Sequence, residues 1–207
     1  MKDIFDNAED KHAINIIGEF FRMHGLDFAI MDLEQMIYYA AHYKYYKRSP
    51  PFTMVFFSQE LRKLITASMV LVENCWLQDE FEVEPAAHGL PDLSRKEDFM
   101  PDRPLPEWYY MPRHLSVAQY LNPGKTFRQF RKYQTREEWM KTIDDLVEYA
   151  LSKSTINECN PTYNMMKLRR LLLQLIEGSY LIYIRYSRGV AIKTGSAEAS
   201  KNENHST

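Results

Sequence analysis

The chain has 207 residues, enough for one domain with a sizeable buried core. Apolar residues make up 45% of it and charged residues 26%, which excludes a collagen-like chain, low-complexity disorder and a disulfide scaffold. Its 26 basic and 28 acidic residues give a formal charge of −2, so only a local basic patch is compatible with nucleic-acid binding.

The first third of the chain predicts three helices. Apolar residues at three- and four-residue steps predict a helix over residues 10–23, with Gly25 as its C-terminal cap. The same spacing predicts a second helix over 27–47, which Pro50 and Pro51 end. A third predicted helix covers 58–78.

Residues 79–113 break this pattern and predict a long, irregular acidic loop. Six of the ten prolines lie there, and residues 79–107 carry nine acidic and three basic side chains, a net charge of −6. Loops of this length are usually functional or disordered. The aromatic run from Trp108 to Tyr110 is expected to pin the end of the loop onto the helices.

The next segment predicts three more helices. Short ones are expected at 117–121 and 127–133, and a longer one ends near Ser152. Thr135 followed by Glu138 forms a capping box, which places the start of the longer helix.

The last helix is predicted over 161–188, with proline at its first position and Gly189 closing it. Residues 195–207 have no large apolar side chain and predict a disordered tail. The chain is therefore expected to form a single helical domain over residues 1–194.

An internal similarity predicts how the helices are arranged. Residues 33–51 align with 143–161 at an offset of 110, and residues 61–71 align with 172–182 at an offset of 111. The expected fold is all-α, with a four-helix core of two antiparallel hairpins, an extra N-terminal helix and the acidic loop packed across it. Chance alignment of amphipathic helices is the alternative to true duplication. Four positions are expected to be fully buried: Leu64, Ile65, Leu175 and Ile176.

The sequence carries no convincing catalytic, metal-binding or cofactor-binding motif. Gly124-Lys125-Thr126 resembles the end of a phosphate-binding loop, but Gln119 stands where that loop needs glycine. Glu9 and His12 form one Glu-x-x-His pair, whereas a di-iron bundle needs two. We predict no cofactor. A hydrolase or transferase with a pocket around His42 is the weakest alternative.

A basic segment is the first candidate binding feature. Its cations are predicted to contact phosphates, and the interleaved Phe127, Phe130 and Tyr133 could stack on bases. An ordinary amphipathic helix with its aromatic residues in the core would look the same, and the acidic loop could neutralise the segment. The candidate residues are Lys125, Arg128, Arg131, Lys132 and Arg136.

A row of aromatic residues is the second candidate. Tyr38, His42 and Tyr45 fall on one line of the second helix, where neighbouring lines are also rich in tyrosine. Exposed tyrosines are common at protein interfaces, because they offer a large area with few torsions to fix. The alternative is that these rings cover the long loop.

These observations favour a non-enzymatic helical interaction or regulatory module that binds a protein partner or a second copy of itself. A nucleic-acid-binding regulator that uses residues 125–136 is the alternative. We expect a cytoplasmic protein, because the acidic N-terminus does not resemble a signal peptide. No membrane association is expected, because Gln174 and Glu177 interrupt the most apolar stretch.

Overall fold

The structure, a computed structural model, describes residues 8–44, 46–47, 49–73, 112–159 and 162–199. Within those ranges the regular structure is α-helical and contains no strand, so the predicted all-α class is confirmed. The helices are α1 (Ala8–His24), α2 (Leu26–Ala41), α3 (Pro51–Glu73), α4 (Val117–Leu121), α5 (Gly124–Tyr133), α6 (Arg136–Leu151), α7 (Ile156–Cys159) and α8 (Met165–Ala199).

Gly25 makes the tight turn between α1 and α2. Its φ is +63°, and its N–H donates to the carbonyl of Phe21 (2.9 Å), so the predicted C-terminal cap is confirmed. This left-handed conformation strains a residue with a Cβ atom, which is why glycine suits the position.

The boundaries of α2 and α3 differ from the predicted ones. α2 ends at Ala41 instead of residue 47. Residues 42–43 form a turn, and the N–H of Tyr46 donates to the carbonyl of Ala150 (2.9 Å). α3 begins at Pro51, seven residues before the predicted start at Ser58. The N–H groups of the first helical turn have no acceptor within the helix, so the N–H that proline lacks is not missed there. Pro51 can therefore begin α3.

Capping boxes place the starts of α4 and α6. The hydroxyl of Thr135 accepts from the N–H of Glu138 (3.3 Å), and the carboxylate of Glu138 accepts from the N–H of Thr135 (2.7 Å), as predicted. Ser116 and Gln119 form a second capping box that we did not predict.

α8 runs past its predicted end. It begins at Met165 and continues to Ala199, so Gly189 does not close it and residues 195–199, predicted to be disordered, are helical. Glycine inside a helix costs about 1 kcal/mol relative to alanine, and no proline follows to stop the helix. Residues 79–111 of the predicted loop and 200–207 of the predicted tail lie outside the described residues.

Helices from the two halves of the chain pack against each other. α2 lies against α6 and α8, and α3 lies against α6 and α1, while α5 packs on α8 and α3. Contacts between the two predicted helix pairs therefore exceed the contacts within each pair. Leu64, Ile65, Leu175 and Ile176 are all fully buried in this core, as predicted.

Several pairs of positions that align in the sequence are both buried. At the offset of 110, Leu33 and Ile143 are both fully buried, and the same holds for Leu61 and Leu172 at the offset of 111. The aligned Ser68 and Ser179 lie opposite each other, with their hydroxyl oxygens 3.4 Å apart. Internal duplication itself stays a prediction.

Among the described residues, no helix joins the length to the continuous apolar character that crossing a bilayer requires.

Candidate functional site

α2 carries apolar side chains on two opposite faces. Its inner face, which includes Leu33 and Met36, is fully buried. Its outer face carries a second row, with large exposed fractions at Phe28 (64%), Met31 (41%) and Tyr38 (42%). Steps of three and four residues keep the row on one side of the helix. We call this row the outer stripe; its members are Phe28, Met31, Gln35, Tyr38 and His42.

The predicted pair Tyr38 and His42 forms the C-terminal end of the outer stripe. The two rings stack at 4.2 Å between centroids, and Nδ1 of His42 donates to the carbonyl of Tyr38 (2.7 Å). The side chain of His42 is exposed. Tyr45, the third predicted member, lies outside the described residues. Sequence reasoning missed Phe28 and Met31, although their spacing from Tyr38 was the available signal.

Charges are distributed unevenly along α2. Asp27 and Asp32 lie in its N-terminal half, and Lys44 and Lys47 follow its C-terminal end. The Lys44 ammonium donates to the Tyr38 hydroxyl (3.3 Å), which holds a positive charge beside the outer stripe.

The N-terminal part of α2 also borders a half-buried histidine. The ring of His24 lies between Phe20 (5.0 Å between centroids) and Phe57 (5.4 Å). Burial lowers the pKa of His24, while the negative charges of Asp32 and Glu60 act against that shift. Burial raises the pKa of Asp32, and the charge of His24 opposes this.

α5 places the predicted basic segment on the surface and its phenylalanines in the core. Phe127 and Phe130 are each 1% exposed, and Phe130 stacks on Trp139 with 3.9 Å between centroids. These two rings cannot stack on bases, and in this respect α5 matches the amphipathic-helix alternative.

Two of the five predicted cations lie beside acidic residues. Arg131 pairs with Glu73 on α3 (3.5 Å), and Arg136 lies in the first turn of α6 beside acidic residues. Lys125 and Lys132 are exposed, and Arg128 is partly exposed; within the described ranges these three have no ion pair. The remaining basic surface of α5 is therefore Lys125, Arg128 and Lys132.

A buried carboxylate in α8 holds the chain that leads into α4. Glu177 accepts from the backbone N–H groups of Arg113 and His114 and from Nδ1 of His114, all at 2.8 Å. The amide nitrogen of Gln174 donates to the carbonyl of His114 (3.0 Å). His114 is thereby fixed against α8 through both its backbone and its ring.

An open cavity of about 600 Å³ lies where His114 meets the start of α8. It was not predicted from the sequence, because the residues that line it are about 50 positions apart. We call it the cationic groove. Its described lining residues are His114, Asn164, Met166, Lys167, Arg169 and Arg170.

In the described part of the chain, no group of three or more histidine, cysteine or acidic side chains is placed to bind a metal ion. No protein-family model, no curated protein and no solved structure matches this chain, so its function is argued from its own residues.

Proposed function

We propose that the chain is a non-enzymatic, cytoplasmic interaction module that associates with a second copy of itself through the outer stripe of α2. The exposed apolar row on the side of α2 opposite its buried face carries this proposal. Single exposed apolar residues are ordinary on a protein surface, but a contiguous row is typical of an interaction site.

The spacing of the outer stripe favours a helix as the bound element. Residues 28, 31, 35, 38 and 42 follow the alternating three- and four-residue steps of a coiled-coil seam. Such a seam packs its side chains between those of a facing helix, which a flat or extended partner does not offer.

Charge favours a second copy in the antiparallel orientation. That orientation brings Asp27, at the acidic end of one α2, close to Lys44, after the end of the other. A parallel arrangement would instead place like charges together at each end. Complementary charges beside a helical seam set its orientation.

The antiparallel arrangement also gives the polar member of the outer stripe a partner. An axis through Gln35 places Phe28 opposite His42 of the other copy and brings Met31 within one residue of the level of Tyr38. The two Gln35 side chains then meet at the axis, where amide groups can donate to and accept from each other. A single polar position in an apolar seam fixes its register.

The first test is the mass of the particle in solution, measured by light scattering after size exclusion. We expect the wild-type chain to be a dimer and the Phe28→Glu, Tyr38→Glu double variant to be a monomer. Val117→Glu, at an exposed position on α4 (62%), adds one such carboxylate elsewhere and should stay dimeric. A monomeric wild-type chain at all concentrations would contradict self-association and leave a helix of another protein as the occupant.

The second test locates the axis by crosslinking. In a Cys75→Ser, Cys159→Ser background, Gln35→Cys should give a disulfide-linked dimer under mild oxidation, because the two positions meet. Met166→Cys, which is 74% exposed on α8, is the matched control and should stay uncrosslinked. Equal crosslinking at both positions would argue against this arrangement.

A nucleic-acid-binding regulator is the second candidate function. The exposed cations Lys125 and Lys132 favour it through phosphate contacts. Phe127 and Phe130 are buried, and Tyr133 is partly buried with the Lys167 ammonium over its ring, so base stacking has little support. Binding of a single-stranded oligonucleotide, followed by anisotropy at increasing salt, tests it. The Arg128→Ala, Arg131→Ala, Lys132→Ala variant should lower the salt slope by about one unit per lost phosphate contact. Salt-independent or absent binding would reject this function.

A further inference from the structure

We propose that the cationic groove binds a small phosphorylated organic molecule, a phosphomonoester. This inference concerns a surface other than the outer stripe and does not depend on self-association. Its basis is the side chains that converge at the start of α8 and the way His114 is held there.

The charge of the groove is the first argument. Lys167, Arg169 and Arg170 lie within one turn of α8, and the described lining contains no carboxylate. Arg169 is paired with Glu34, its Nε donating to that carboxylate at 2.8 Å. Lys167 and Arg170 have no carboxylate partner among the described residues, although the Lys167 ammonium lies over the ring of Tyr133, 4.2 Å from its centroid. An anion in the groove would be attracted to both cations.

Helix packing does not use the charges of these two cations. Lys167 and Arg170 are both exposed, so neither side chain belongs to the buried face of α8.

The setting of His114 is the second argument. Its Nδ1 donates to the buried carboxylate of Glu177, and its backbone is bound to Glu177 and Gln174. With Nδ1 engaged, Nε2 is the ring nitrogen left for a ligand in the groove. A ring held by buried hydrogen bonds can meet a ligand without losing further conformational freedom.

The size of the groove is consistent with a small organic ligand. About 600 Å³ lies within the range of 300–1,000 Å³ that is typical of sites for small organic molecules. An arginine fork and a lysine ammonium beside an imidazole suit a phosphate group. Met166, which is 74% exposed at the same site, offers an apolar contact for the organic part.

The test compares matched ligand pairs by isothermal titration calorimetry on the full chain. The probes are AMP against adenosine and glucose 6-phosphate against glucose, with inorganic phosphate as the free anion. We expect saturable binding of at least one phosphomonoester and none of its unphosphorylated partner. Inorganic phosphate should bind more weakly, because it lacks the organic part. Absence of binding by both phosphomonoesters would overturn the proposal.

Variants then locate the site. Lys167→Ala and Arg170→Ala should each weaken phosphomonoester binding about tenfold, which corresponds to about 1.4 kcal/mol. Lys141→Ala, which removes an exposed lysine from α6, should leave it unchanged. Unchanged binding in both groove variants would overturn the proposal. So would a single-stranded oligonucleotide that binds through the groove residues more tightly than either phosphomonoester, because it would make the groove part of a nucleic-acid surface.

Discussion

Glu177 lies fully buried in α8 and accepts three hydrogen bonds from residues that precede α4. Such a carboxylate is costly to bury, and the cost is offset only while every acceptor is used. The residue therefore has a structural role in joining α8 to the chain at Arg113 and His114.

Removing this carboxylate should destabilise the fold strongly. Glu177→Ala leaves two backbone N–H groups and one imidazole N–H without their acceptor, so we expect a loss of about 3–5 kcal/mol in the free energy of unfolding. Urea denaturation measures it. Glu148→Ala, at an exposed position on α6, is the control and should change stability by less than about 0.5 kcal/mol. A loss below about 1 kcal/mol at Glu177 would contradict its structural role.

His24 makes stability depend on pH. Burial lowers the pKa of its imidazole in the folded state below the ordinary value of 6.5, so folding favours the neutral ring. The unfolded chain then binds the proton more readily, and stability falls as pH drops below about 6.5. Asp32 acts in the opposite sense. Burial raises the pKa of its carboxyl in the folded state, which adds stability at acidic pH, and this stability is lost as the pH rises through the raised pKa.

Replacing His24 should remove the loss of stability that protonation of its imidazole causes at acidic pH. In His24→Phe, the free energy of unfolding should decrease less between about pH 7 and about pH 5.5 than in the wild type. Urea denaturation at several pH values measures the difference. His12→Gln, which changes an exposed histidine of α1, should keep the wild-type pH dependence. Equal slopes in His24→Phe and the wild type would reject this role for His24.

At the scale of single helices, the apolar stripes of α3 and α8 were predictable because burial follows the helical period. Leu64 and Leu175 occupy aligned positions, and both are fully buried. Helix ends were predictable only where a local signal exists. Gly25 and the Thr135 capping box placed two helix ends correctly. The end of α2 was not predictable in this way, because the carbonyl that accepts from the N–H of Tyr46 belongs to α6, far away in the sequence.

The two stripes should contribute comparably to stability. Leu64→Ala and Leu175→Ala should each lower the free energy of unfolding by about 2–5 kcal/mol, since each leaves a cavity in a closely packed core. Denaturant titration compares them, with Val117→Ala as the exposed control. Losses below about 0.5 kcal/mol at both leucines would show that these positions contribute little to the core.

At the scale of the whole molecule, a formal charge of −2 conceals a strong separation of charge. The cationic groove lies at the start of α8, while residues 79–107 carry a net charge of −6. The proposed dimer uses the outer stripe of α2, whereas the cationic groove is lined by His114 and by residues at the start of α8.

Self-association also predicts that thermal stability depends on protein concentration. If the dimer forms, mass action stabilises the folded chain, so the Tm of the wild type should rise with concentration. Differential scanning calorimetry at several concentrations measures this. The Phe28→Glu, Tyr38→Glu variant should melt at one temperature throughout. A wild-type Tm that is independent of concentration would count against the dimer.

The helical class, the Gly25 turn, the Thr135 cap and the buried stripes followed from the sequence, because each depends on residues within a few turns of one another. The packing partners of α2, the burial of Phe127 and Phe130 and the meeting of His114 with Glu177 followed only from the tertiary structure. These contacts join residues many positions apart, and an amphipathic pattern does not say which surface will cover it. For the same reason the outer stripe of α2 was only partly recognised: its exposure depends on which neighbours pack against the opposite face.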